Sequence, residues 1–241
     1  MNSALAEELF DNPRGMPVPR ALMALAVSAA ASMAFATWMA FVYAPTEAKM
    51  GFVQKIFYFH VPSAWMMLLS APLMAVASIA YLRTRKDSWD RMSDASVELA
   101  ILFGIFTLIT GPAWGYKAWG TPWVWDVRLT ASLVMVLTLI ACKIVRAYAG
   151  ANAKQIAAGL AILAVLNAIF VWKSVDIWRG THPPKLTVKG RMHSDMYDAF
   201  WICVIAFHLT YAALLWARLR LGKLRTAMER LHAKAVEAGV D

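Results

Sequence analysis

Residues 155–172 read QIAAGLAILAVLNAIFVW, a run without a single charged side chain. It approaches the ~20 consecutive apolar residues that a helix needs to cross a bilayer. Comparable runs recur along the chain at about 21–43, 57–82, 95–111, 129–148 and 199–217. Six such runs predict an all-α integral membrane protein whose core is helix against helix within lipid. Composition agrees. The hydrophobic fraction is 60%, above the roughly 45–50% of soluble domains, and the mean hydropathy is +0.52. The second run contains Pro62 and Pro72, which lipid-embedded helices tolerate when neighbours satisfy the freed carbonyls. The small residues around Ala34 and Ala36 resemble a signal-peptide cleavage site. The leading segment is long and partly acidic, however, and the apolar run continues past that point, so 21–43 reads as a span.

Three regions follow: a polar N-terminal segment over 1–20, a membrane domain over 21–217, and a basic tail over 218–241 that reads as helical. The net charge of +9 suggests nucleic acid in a soluble chain. Here it reads as cytoplasmic Lys and Arg, and no nucleic-acid partner is expected. Of the 24 Lys and Arg, 15 fall on the side that includes Arg14, Arg83, Lys143 and the tail. The remaining 9 fall on the side that includes Lys49, Lys117 and Lys185. The asymmetry places both termini in the cytoplasm. Loops of about 44–56, 112–128 and 173–198 then face outward.

Several classes are excluded by motif. There is no CxxC or CxxCH, hence no c-type haem attachment site or thioredoxin-like pair. There is no GxxxxGK[ST], hence no P-loop. Cys142 and Cys203 fall near opposite ends of their helices, so no disulfide between them is expected.

The second outer loop carries the densest signal. WGYKAWGTPWVWDVRLT, from Trp114 to Thr130, holds Trp114, Trp119, Trp123 and Trp125 beside Asp126 and Arg128. An interfacial aromatic belt accounts for one or two Trp per helix end. It does not account for four within twelve residues, interleaved with Gly115, Gly120 and Pro122. Flat rings on a glycine-permitted backbone predict a stacking shelf for a planar apolar ligand. Asp126 beside Arg128 is either a local ion pair that fixes the shelf or leaves Arg128 to face an anionic ligand edge.

This segment resembles the tryptophan-rich "WWD" signature of the haem-handling superfamily. Size and six-helix plan resemble its CcmC family, the haem exporter protein C of cytochrome c maturation. The resemblance runs from about Lys55 to about His182. The family usually has two adjacent Trp where this chain has Pro122–Trp123. The resemblance implies that b-type haem, held non-covalently, is bound at the periplasmic face of the bacterial inner membrane. It implies delivery to the haem chaperone CcmE, with CcmD and the ABC transporter subunits CcmA and CcmB as partners. It also implies His60, in KIFYFHVPSAW, and His182, in SVDIWRGTHPP, as the two axial ligands.

Residue types agree with such a site, which needs axial nitrogens, ring stacking and cations for the propionates. His60, His182 and His193 share the outer face with the Trp cluster, and His193 is the fallback ligand. Lys55 and Arg128 are candidate propionate partners, though a snorkelling lysine explains Lys55 equally well. His208, mid-helix, reads as a packed, hydrogen-bonded group, and His232 as solvated. There is no nucleophile or acid–base constellation, so a conventional enzyme is not expected. Three other classes make different demands on the chain. A transbilayer b-type cytochrome needs His pairs at matched depth. A solute permease needs intramembrane charge or broken helices, where only His208 and near-edge groups such as Glu98 stand out. The haem ligase of the same superfamily, or another haem transporter in it, shares the Trp motif; ligases are generally larger.

Overall fold

The computed structural model of the chain describes residues 18–178, 180–182, 192–237 and 239. The N-terminal segment as far as residue 17 lies outside the described residues, as do Arg14, Arg179, Lys185, Lys189 and Arg191. Six helices are long and apolar enough to cross a membrane among the described residues. We number them α1 (Arg20–Trp38, extended by a π-helical turn Met39–Tyr43), α2 (Phe57–Thr84), α3 (Asp87–Trp119), α4 (Val127–Tyr148), α5 (Ala153–Ile177) and α6 (Ser194–Glu237).

The pairing of helices follows from short connections. Only Arg85 and Lys86 separate α2 from α3, with Arg85 in the left-handed conformation closing α2. The two helices therefore return antiparallel and pack along their length. α4 and α5, joined by the short turn Gly150–Asn152, form a second such pair, and α1 leans mainly on α6. Within lipid there is no water to drive helices together, so small side chains and polar bridges carry the contacts. The buried face of α5 is accordingly Ala157, Ala158, Ala161, Ala164 and Ala168. Asn167 donates its side-chain amide to the Ala131 carbonyl of α4 at 2.9 Å. Ser63 donates to the Phe103 carbonyl at 2.9 Å. Ser70 and Tyr211 share a hydrogen bond of 2.9 Å. Cys142 and Cys203 are free and buried in separate core clusters.

The end of the bundle where α3 begins is tied by charge. Asp87, Asp90, Asp94 and Glu98 recur at helical spacing along α3, a periodicity that puts them on one face. Arg146 of α4 grips Asp90 through two hydrogen bonds of 2.8 and 3.0 Å and reaches Asp94 at 3.0 Å. Lys143 pairs with Asp94 at 2.6 Å and Glu98 at 2.7 Å. Lys154 of α5 reaches Asp87, and Arg218 of α6 pairs with Glu98. Cations that the sequence counts toward the charge-rich side thus join four helices, and Glu98 is paired within this network.

One sequence expectation is revised. α3 does not stop near 111. It continues through Pro112 to Trp119, so Trp114, Gly115 and Trp119 are helical and only a short corner follows. The basic tail is helical as expected, continuing α6 without a break to Glu237.

Candidate functional site

At the opposite end of α3 the bundle opens into a cavity of about 1440 Å³, counting the space at its mouth. His60 on the first turn of α2, Trp114 and Trp119 on the last turns of α3, Trp123 in the corner, Arg128 on the first turn of α4 and His182 all line it. Residues far apart in sequence meet because each stands at a helix end, or in a connection just beyond one, on one side of the bundle.

The corner between α3 and α4 is built locally. Gly120, at φ 74°, takes the left-handed conformation that ends α3, its N–H donating to the Tyr116 carbonyl at 3.0 Å. Asp126 caps α4, its Oδ1 accepting the Leu129 N–H at 2.8 Å. Its Oδ2 accepts from Thr181 Oγ1 at 3.3 Å and from the backbone N–H of His182 at 3.2 Å. A Cβ on Gly180 would come within 2.6 Å of that same oxygen, so this approach requires glycine. Asp126 therefore braces the loop that carries His182. The sequence offers Asp126 as an ion-pair partner of Arg128 that fixes the Trp shelf; its hydrogen bonds run to Leu129, Thr181 and His182.

The rings form two edge-to-face pairs in place of a flat shelf. Trp114 and Trp119 meet at 82° with centroids 5.8 Å apart. Trp123 and Trp125 meet at 77°, also 5.8 Å apart. Gly115 admits the first pair, since a Cβ there would lie 2.8 Å from the Trp119 ring. Trp114 Nε1 donates to Gln54 Oε1 at 3.2 Å. Trp123 Nε1 is buried without a hydrogen-bond partner among the described residues, an unsatisfied donor at the cavity wall.

Several sequence candidates lie elsewhere. Trp125 is 78% exposed and is not among the cavity-lining residues. Lys55 is buried, and its Nζ donates to the Ala44 carbonyl at 2.6 Å. It thereby closes the end of the α1 π-turn and does not line the cavity. His193 is exposed beside Asp195 and does not line the cavity either. His208 is hydrogen-bonded as expected, Nδ1–H donating to the Val204 carbonyl at 2.8 Å, but it is exposed on the bundle exterior, not packed. His232 is exposed. Sequence reasoning missed Phe57, Trp65 and Trp172, which also line the cavity. Each sits in an apolar run, where a single aromatic residue looks like core.

The residues present fit haem. Two imidazoles are too few for a bare ion, and among the described residues no cluster of three or more His, Cys, Asp or Glu could hold one. A porphyrin brings its own four nitrogens and needs only axial ligands from protein. Aromatic walls match its faces. Arg128 and the unpartnered Trp123 N–H match its anionic edge.

The chain matches the family model described as CcmC, Heme exporter protein C, over residues 12–234. Among curated proteins it is 31% identical over 183 residues to "Heme exporter protein C" of Escherichia coli K12, covering 75% of this chain and 74% of that one. It is 29% identical over 196 residues to the protein of that name from Bradyrhizobium diazoefficiens, covering 80% and 74%. It is also 32% identical over 151 residues to a "Putative cytochrome c biosynthesis ccmC-like mitochondrial protein" of Marchantia polymorpha. That match spans 63% of this chain and 64% of the length of the relative.

Proposed function

The chain belongs to the haem exporter protein C (CcmC) family, and on that premise we propose that it binds haem between His60 and His182 and hands it on during c-type cytochrome maturation. The observation that carries this reading is the meeting of His60 and His182, from separate elements, in one cavity walled by tryptophan and edged by Arg128. The 15-to-9 asymmetry of Lys and Arg supports a periplasmic setting for this face at the inner membrane. Haem is cargo here: it arrives, is held by two imidazoles and leaves. The recipient is the haem chaperone CcmE, and CcmD, CcmA and CcmB are the working partners.

The residues divide the task. His60 and His182 supply the axial nitrogens. Trp114, Trp119 and Trp123 exclude water from the ring faces. Arg128 and the Trp123 N–H receive the propionate edge. Asp126 keeps the His182 loop against the corner. Trp125, exposed beside Trp123, lies outside the cavity where a docking chaperone meets the site.

The test is the haem content and absorption spectrum of purified protein. His60→Ala and His182→Ala should each lower haem retention and abolish the low-spin bis-imidazole spectrum. Two variants with wild-type spectra and haem content would overturn the assignment.

A further inference from the structure

His60 is one of the two imidazoles of the proposed site, and the structure shows which of its nitrogens is committed elsewhere. His60 Nδ1 lies 2.9 Å from Thr110 Oγ1 on the neighbouring helix α3. Thr110 has one hydroxyl hydrogen. That hydrogen is directed at the Phe106 carbonyl one turn back, at 2.7 Å. The hydroxyl is then left as an acceptor, and the proton between it and His60 belongs to Nδ1. A neutral imidazole protonated on Nδ1 carries its lone pair on Nε2. The reverse arrangement would put the proton on Nε2 and leave no lone pair for a metal in the cavity.

The ring is also held in place. Gly111 follows Thr110, and a Cβ there would lie 3.2 Å from His60 Cε1, closer than a side chain comfortably sits. The imidazole therefore rests against the bare backbone of α3 with its Nδ1 edge on the hydroxyl. Both residues line up on the one turn of α3 that faces His60, immediately before Pro112.

We propose that Thr110 is a positioning residue for the site, fixing the Nδ1–H tautomer of His60 so that Nε2 is presented to haem iron. This rests on the reading that His60 is an axial ligand. Outer partners of this kind orient a metal-binding histidine, raise its basicity and typically matter 10–100-fold in affinity. A more basic imidazole favours ferric over ferrous haem, so losing the partner should raise the reduction potential.

The experiment uses the full-length protein in detergent, titrated with haemin, with three variants. Thr110→Val keeps the shape and removes the hydroxyl. Thr110→Ser restores the hydroxyl on a smaller side chain. His60→Ala reports on the underlying reading. Thr110→Val is expected to bind haemin about 10–100-fold more weakly, with a partly high-spin spectrum and a raised reduction potential, while Thr110→Ser stays close to wild type. Wild-type affinity, spectrum and potential in Thr110→Val would overturn the proposal. Equal losses in the Val and Ser variants would also overturn it, since the hydroxyl would then not be the cause. Should Thr110→Val fail to fold, the Thr110→Ala and Thr110→Ser pair makes the same comparison. If His60→Ala itself binds and absorbs like wild type, the ligand assignment fails first, and that outcome is distinguishable from a silent Thr110.

Discussion

Asp126 Oδ2 accepts the backbone N–H of His182 at 3.2 Å while its Oδ1 caps α4 at Leu129. One carboxylate thus joins the tryptophan-rich corner to the loop that carries the second histidine. The contacts of this acidic residue are structural ones, tying the start of α4 to the turn that carries His182.

Replacing Asp126 should therefore affect haem holding and not transfer alone. Asp126→Ala removes a helix cap, a loss of about 1 kcal/mol, and releases the 180–182 turn. The expected outcome is reduced haem retention with weakened His182 ligation, seen as a shift from low-spin toward mixed-spin absorption. Asp126→Asn keeps an oxygen acceptor and should be milder. Gly180→Ala, which places a methyl within 2.6 Å of the same oxygen, should resemble Asp126→Ala. A Gly180→Ala protein with normal spectra would show that the brace is dispensable.

The two outer tryptophans should separate. Trp119 lines the cavity, whereas Trp125 lies outside it. An aromatic contact contributes about 0.5–1.5 kcal/mol beyond area burial, so Trp119→Ala should weaken haem binding by at least about two- to tenfold. Trp125→Ala should bind haem normally and lower only the covalent haem found on the chaperone. Measuring both quantities in one preparation decides the matter. Normal transfer by Trp125→Ala would reduce that ring to an interfacial anchor.

The topology is open to direct measurement. Reporter fusions within 44–56, 112–128 and 173–198 should read as periplasmic. Fusions near residue 88 and after residue 220 should read as cytoplasmic. A cytoplasmic signal from a fusion within 112–128 would put the cavity mouth on the wrong side and end the proposed delivery.

At the far end of α3 the pair Arg146–Asp90 should be important for stability and irrelevant to haem. Both side chains are largely buried, at 18% and 8% exposure. Removing one partner leaves an uncompensated charge, a cost of about 3–5 kcal/mol for a fully buried pair. Arg146→Met should lower the unfolding temperature in detergent while the haem spectrum of surviving protein stays unchanged. The double variant with Asp90→Leu should recover part of the loss, because both charges are then gone.

The sequence by itself determined the helices and the family. Transfer of apolar side chains into hydrocarbon is a local, additive quantity, so six spans could be read from hydropathy alone. The tryptophan-rich segment was legible because no generic belt requires such density in one place. What only the tertiary structure decided is which of those residues face one another. Lys55 reads equally as a propionate partner or a snorkelling lysine from the sequence, and its Nζ 2.6 Å from the Ala44 carbonyl is seen only in the structure. Trp125 looked equivalent to its neighbours until the end of α3 at Gly120 and the capped start of α4 turned it outward. Trp65, Trp172 and Thr110 carried no signal, since one aromatic or hydroxyl residue in an apolar helix has many possible surroundings. The rotation of each helix about its axis and the depth of its end are set by packing among all six, through contacts between residues distant in sequence. That is why the list of spans was available from the chain, and the cavity, with the Asp126–His182 and Thr110–His60 hydrogen bonds that shape it, was not.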